Sequence, residues 1–215
     1  MTTLAVACRI LLDVPPDALP ASALDADAPD VARFRAGDDQ AFEALVCRRE
    51  AEVYRLALRL LGNPDDALDA VQETFLRVFR SLRGFRGEAT FRTWLTGIAL
   101  NVCRNKRSSA ATRRSQRSQQ LEREDPATGQ SVELELPDPR PDPESSAYGS
   151  ELRQALERAL GRLAPEHREV ILLREMQGLE YEELSQVLAC PSGTVKSRLN
   201  RARAALRAAM EDVWP

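Results

Sequence analysis

Residues 179–206 read LEYEELSQVLACPSGTVKSRLNRARAAL, and two helical patterns meet inside that stretch. Tyr181, Leu184 and Leu188 mark a short helix over about 181–188. The run Ala189-Cys190-Pro191-Ser192-Gly193 breaks it, and a last helix starts at Thr194. In that helix Val195, Leu199, Ala202 and Leu206 fall on one apolar stripe. Its other faces carry Lys196, Arg198, Asn200, Arg201, Arg203 and Arg207, with no acid between Ser192 and Met210. Two helices joined by a tight, glycine-containing turn describe a helix-turn-helix. A recognition helix needs an anchored back, a front of long donors for phosphates and base edges, and small polar residues such as Thr194 and Ser197 near its start. An ordinary solvated helix mixes both charge signs on its outer face, which this one does not. The pattern therefore points to DNA.

Upstream of this motif, Leu152, Leu156, Leu160 and Leu163 continue the helical period. It restarts after Pro165 with Val170, Ile171, Leu173 and Met176 and stops at Gly178. Together these helices define a domain over 151–212. Between 109 and 150 the apolar period vanishes. Pro126, Pro137, Pro139, Pro141 and Pro143 mix there with Ser, Gln and acids, the composition of a flexible linker. From 31 to 108 three amphipathic patterns form a helical bundle: Phe42 to Leu60, Leu68-Val71-Phe75-Phe79-Leu82, and Phe91 to Val102. The Gly62-Asn63-Pro64-Asp65 break separates the first two. Gly84 to Gly87 separates the second from the third, where Thr90 is the expected N-cap. Residues 1–30 carry five Asp against one Arg, with Pro15, Pro16, Pro20 and Pro29, and read as an acidic, mobile extension. The fold class is all-α, with two small helical domains on a flexible linker.

Composition agrees with that class and removes several functions. Aromatics are 5% and glycines number 10 in 215 residues, a poor basis for a sandwich or barrel. The single histidine, His167, has no nucleophile and orienting acid at motif spacing, and Cys8, Cys47, Cys103 and Cys190 are too scattered for a ligand pair. No catalytic residue, metal, cofactor or small-molecule substrate is expected. No apolar run is long enough to span a membrane, and the start lacks the basic end of a signal peptide, so the expected location is the cytoplasm.

Net charge is only -3, but the charge is segregated. From Thr90 to Leu121 seven basic residues, among them Arg92, Arg104, Lys106 and Arg107, meet no acid. Phe85, Phe91 and Trp94 stand beside Arg83 and Arg86 at its start. Cations along a backbone and rings that can stack on unpaired bases suit single-stranded DNA. Phe91 and Trp94 also fit a core stripe with Leu95 and Ile98, so Phe85 is the better stacking candidate. The helix over about 65–82 is acidic first and basic last, as its dipole favours by default, with a protein-docking face as the other reading.

The run Ser192 to Leu199 followed by Arg201-Ala202-Arg203 resembles the region-four helix-turn-helix of bacterial sigma-seventy-type initiation factors, in the extracytoplasmic-function group. DQAFEAL at 39–45, DAVQETF at 69–75 and FRTWLTGIALN at 91–101 resemble the family's region two. The resemblance implies an alternative sigma factor that directs core RNA polymerase to promoters and helps melt them. Asp66, Asp69, Gln72, Glu73, Phe75, Leu76 and Phe79 would dock on the beta-prime clamp helices, with a second polymerase contact at the beta flap. Arg83, Phe85, Arg86, Phe91, Trp94, Asn101, Arg104, Lys106 and Arg107 would open and read the minus-ten element as single strand. Thr194, Lys196, Ser197, Arg198, Asn200, Arg201 and Arg203 would read the minus-thirty-five element as duplex. The family has a basic residue where Leu100 stands, an acid near Asn105 and a basic residue at about Ser108. An anti-sigma partner, which could be membrane-tethered, is expected to cover the docking surfaces. The competing reading is a dimeric helix-turn-helix regulator that binds operators without polymerase.

Overall fold

The computed structural model describes residues 25–120 and 143–213, with side chains described over 25–109, at 112 and over 151–212. Those residues form helices and connecting turns only. The first domain holds α1 (Ala28–Arg35), α2 (Gln40–Leu61), α3 (Pro64–Ser81), a 3-10 turn (Leu82–Gly84) and α4 (Phe91–Gln120). The second holds α5 (Pro143–Arg162), α6 (Pro165–Ile171) with a π turn at Leu172–Met176, α7 (Tyr181–Leu188) and α8 (Ser192–Val213).

Caps and turns read from the sequence lie where its breakers stand. Gly62 closes α2 in the left-handed region at φ 74°, and the Asn63 side chain accepts from the Asp66 amide at 3.0 Å to start α3. Thr90 Oγ1 accepts from the Thr93 amide at 3.1 Å and caps α4. Gly178, at φ 66°, follows the π turn and separates α6 from α7.

Three boundaries differ from the sequence reading. The first domain starts before residue 31, because Asp25–Asp30 are built into it. Asp27 is fully buried and accepts from Arg48 Nη1 at 2.8 Å and from Arg49 Nη2 at 2.7 Å and Nε at 2.9 Å. Asp25 Oδ2 accepts from the Phe91 amide at 2.8 Å, a second cap on α4 from a remote segment. Helix α4 runs to Gln120, twelve residues beyond the expected domain end at 108, and α5 starts at Pro143 rather than at 151. Arg, Ser, Ala and Gln are tolerable helix formers, so loss of the apolar stripe does not end a helix that its first turns have already nucleated. The central part of the expected linker, 121–142, and residues 1–24 of the expected extension lie outside the described residues.

The two domains touch. Residues of α4 meet α6 and α7, and Arg92 of α4 pairs with Glu52 of α2 at 2.6 Å while reaching Gln177 of the second domain at 3.4 Å.

Candidate nucleic-acid and polymerase interfaces

The recognition helix is anchored as its stripe requires, with Val195, Leu199 and Ala202 fully buried and Leu206 nearly so. Burying a Val or Leu side chain stabilises by about 1.5–3 kcal/mol, so the back of α8 is firmly set. Lys196, Ser197, Asn200 and Arg201 are exposed on the opposite side, with Thr194 and Arg198 at the margin. Arg201 lies back on its own helix, Nε donating to the Ser197 carbonyl at 3.3 Å. Arg203 departs from the expectation: its Nη2 donates to Glu175 Oε1 at 2.7 Å, inside the domain. That pairing makes it a brace between α8 and the π turn rather than a free donor. The entrance to α8 is tight. Ser185 Oγ donates to the Cys190 carbonyl at 2.6 Å, the Cys190 amide to the Ser185 carbonyl at 3.1 Å, and Ala189 sits at φ 51°, left-handed without being glycine.

At the start of α4 three rings gather. Phe85 lies 4.9 Å from Trp94 and 6.5 Å from Phe91, the latter edge to face, and Phe91 lies 6.1 Å from Trp94. Phe91 is wholly buried, which removes it from direct contact with DNA and makes it the floor beneath the other two. Phe85 and Trp94, both half-buried, border an open recess of about 490 Å³ with Arg86 and Glu88 on its rim. Arg83 turns the other way, its guanidinium 5.8 Å from the Phe34 ring centroid. Further along α4, Asn101 is exposed, Lys106 reaches Asp69 at 3.4 Å, and Arg104 and Arg107 both bind Glu169 of α6. Leu100 is buried, so the position where the family has a basic residue faces the core here.

The third face is α3. Asp66, Asp69 and Gln72 are exposed, and Glu73 holds Arg77 one turn on at 2.7 Å. Leu76 and Phe79 are 51% and 44% exposed, and Leu68, part of the apolar stripe that marks this helix in the sequence, is 52% exposed. Phe75 is 7% exposed and belongs to the core, so it supports the face without lining it. The reason is geometric. At about 100° per residue, the buried arc of α3 is occupied by Ala67, Ala70, Thr74, Phe75 and Val78, which leaves Leu68, Leu76 and Phe79 outside it. Phe79 still rests on Phe42 and Phe34, with centroids 5.1 and 5.4 Å away.

Two side chains missed at the sequence level matter most, Asp25 and Asp27. The run Asp27-Ala28-Pro29 has an acid just ahead of a proline in the first turn, a helix-start signal. The adjacent Arg48 and Arg49 supply the cations that Asp27 needs. Hydrogen bonds to Asp27 and Asp30 hold the Arg48 guanidinium above its ordinary value, and for Arg49 the lowering effect of burial, the largest single influence, is outweighed by Asp27 and Glu52 together.

These features define an all-helical, two-domain protein with a helix-turn-helix in its second domain and, on its first, a helix face that carries exposed acids and exposed large apolar side chains. Two family models match it, sigma-70 region 2 over residues 45–114 and sigma-70 region 4 over residues 153–206. The chain is 37% identical over 177 residues to the ECF RNA polymerase sigma-E factors of Escherichia coli (strain K12) and Salmonella typhi, covering 82% of this chain and 90% of each relative. Among solved structures it is similar to CnrH in complex with the cytosolic domain of CnrY, at 28% identity and a TM-score of 0.59 over 87% of this chain and 98% of that one. It also shares the fold of the sigma factor RpoE in complex with the anti-sigma factor NepR from Bartonella quintana, at 24% identity and a TM-score of 0.58 over 79% and 96% of the two chains. The chain belongs to the sigma-70 family of RNA polymerase sigma factors, in its ECF group, and is an alternative sigma factor. That membership displaces the operator-binding regulator.

Proposed function

We propose that the chain works without catalysis of its own, by bringing core RNA polymerase and two promoter elements together through three separate surfaces. The observation that carries this is the exposed front of α8: four polar or cationic side chains, no acid, and a fully buried back. Lys196, Ser197, Asn200 and Arg201, flanked by Thr194 and Arg198, read the minus-thirty-five duplex in the major groove. Phe85 and Trp94 receive an extruded base of the minus-ten strand, and Arg86, Asn101 and Lys106 follow its backbone. Extrusion costs a few kcal/mol, which a preformed ring-lined recess helps to offset. Asp66, Asp69, Gln72, Leu76 and Phe79, with Leu68 added, dock on the beta-prime clamp helices, and the second domain meets the beta flap.

Mounting both DNA-reading domains on one polymerase makes recognition bivalent, so neither has to bind tightly alone. No helix of the described residues is long and apolar enough to cross a membrane, in keeping with a cytoplasmic site of action. CnrH, solved together with the cytosolic domain of CnrY, supports a protein partner for this chain, which we assign as an anti-sigma factor, membrane-tethered in the fullest version of the proposal.

Fluorescence titration of the labelled chain with core polymerase and then with promoter DNA tests the assignment. Saturable binding to core, with DNA bound only in the ternary complex, is the expected result. Binding of duplex DNA by the chain alone, with no affinity for core, would refute it.

A further inference from the structure

The first turn of α4 is held from two directions by acids that lie outside the DNA-reading surfaces. Ahead of α1, both carboxylate oxygens of Asp25 are engaged: Oδ1 accepts from the Asp27 amide at 3.1 Å and Oδ2 from the Phe91 amide at 2.8 Å. The Asp25 carbonyl accepts from the Ala28 amide at 2.9 Å, so the carboxylate is fixed to the start of α1 rather than carried on a loose end. The second hold is a row of alternating charges. Asp27 accepts from Arg49 Nη2 at 2.7 Å, Arg49 Nη1 donates to Glu52 Oε2 at 2.9 Å, and Glu52 Oε1 accepts from Arg92 Nε at 2.6 Å. None of these four side chains is more than 18% exposed, so salt screens the row poorly and its geometry is fixed.

The two holds end on adjacent residues, Phe91 and Arg92. Phe91 is wholly buried beneath Phe85 and Trp94 and forms the floor of the recess that those two rings border. Helix α4 does not need Asp25 in order to start. Thr90 Oγ1 already accepts from the Thr93 amide at 3.1 Å, and the Thr90 carbonyl from the Trp94 amide at 3.1 Å. What Asp25 and Glu52 add is the place of that turn relative to α1 and α2.

On the reading of Phe85 and Trp94 as the base-receiving pair, we infer that Asp25 and Glu52 are positioning residues for promoter melting: through Phe91 and Arg92 they hold the floor of the recess where Trp94 can stack on the extruded base. An extruded base has lost its pairing and stacking, and a recess that had still to be organised would add an ordering cost to that loss. The Asp25 carboxylate also fills the anion site that the positive end of a long helix otherwise offers, so the strand meets the recess with a base rather than a phosphate. Arg92, part of the basic run by sequence, acts here as a brace.

The sign of the effect separates positioning from charge. Removing an acid beside DNA strengthens binding if the acid acts by its charge alone, whereas a lost positioning contact weakens opening. The test uses holoenzyme assembled from core polymerase and the full chain, on a promoter fragment at which the parent gives a discrete start. Permanganate oxidation of unpaired thymines in the minus-ten element reads opening, and core affinity is measured in parallel. Asp25→Ala and Glu52→Gln should each slow opening roughly tenfold or more with core affinity unchanged, as should Phe85→Ala, while Asp25→Asn, which keeps an acceptor for the Phe91 amide, should stay near the parent. If Asp25→Ala does not fold, Glu52→Gln carries the same prediction. Opening that is unchanged or faster in the acid variants while Phe85→Ala slows it would overturn the positioning role and leave the recess standing. Loss of core affinity in step with opening would overturn it too, by showing a general structural defect. If Phe85→Ala also opens at the parent rate, the base-receiving reading falls and the positioning role with it.

Discussion

Replacing Asp27 tests whether the first domain begins where the structure places it. The carboxylate is fully buried and takes three charge-assisted hydrogen bonds, from Arg48 Nη1 at 2.8 Å, Arg49 Nε at 2.9 Å and Arg49 Nη2 at 2.7 Å. The two arginines differ in what they lose. Arg48 is 40% exposed and keeps Asp30 at 2.8 Å, so water and a second acid absorb most of its loss. Arg49 is 18% exposed and keeps only Glu52 at 2.9 Å, so its charge is left largely desolvated. Breaking a buried pair by removing one partner costs about 3–5 kcal/mol. The remaining Glu52 contact lowers the expectation for Asp27→Ala to about 3 kcal/mol. Asp27→Asn, which keeps one acceptor, should cost about 2 kcal/mol. Urea unfolding followed by circular dichroism reads both, and Asp27→Ala combined with Arg49→Ala should cost less than the sum of the two single changes. A loss below about 0.5 kcal/mol for Asp27→Ala, the level of a surface substitution, would refute the reasoning and return residues 25–30 to the extension.

Three further outcomes follow from the same geometry. Ala189→Gly should stabilise the second domain by about 1 kcal/mol, because left-handed strain of roughly 1–2 kcal/mol outweighs a glycine's extra chain entropy of about 0.5–1 kcal/mol; calorimetry should show a rise of about 4–8 °C for a domain of this size. Burial pushes the Cys103 thiol up to about 12. A folded-state value raised above the unfolded one stabilises fully below the unfolded value, near 8.5, and the benefit is lost as pH rises towards 12. Stability should therefore fall above about pH 9 by no more than ~1.4 kcal/mol per pH unit from this group, and Cys103→Ala should flatten the slope. Leu76→Asp, at a site 51% exposed, should leave the urea midpoint within about 0.5 kcal/mol of the parent while weakening core binding at least tenfold. Unchanged core affinity would remove α3 from the docking surface.

The helix-turn-helix was legible because its information is local. Val195, Leu199, Ala202 and Leu206 share one face at helical spacing, and all four are buried. Asn63 and Thr90 cap helices within three residues, so the break and the cap carry their own signals. What escaped is long-range. The acids Asp25 and Asp27 look like solvated extension until Arg48, Arg49 and the start of α4 are brought to them by the fold. Apolar periodicity places Leu68 on the stripe of its helix but does not give the width of the buried arc, which on α3 runs through Ala67, Ala70, Thr74, Phe75 and Val78 and leaves Leu68 exposed. Phe91 could be ring or core by spacing alone, and only its complete burial in the fold decides for core. Arg203 belongs to the basic face by sequence, whereas its partner Glu175 lies 28 residues away and is invisible to a local pattern.

Run-off transcription with purified core polymerase on a library of promoter fragments, with and without the chain, tests the central claim most directly. New, discrete starts should appear only when the chain is added, and both Arg201→Ala and Phe85→Ala should weaken them without unfolding the protein. Starts that do not change on its addition, at concentrations where the chain is folded, would contradict the assignment of the three surfaces.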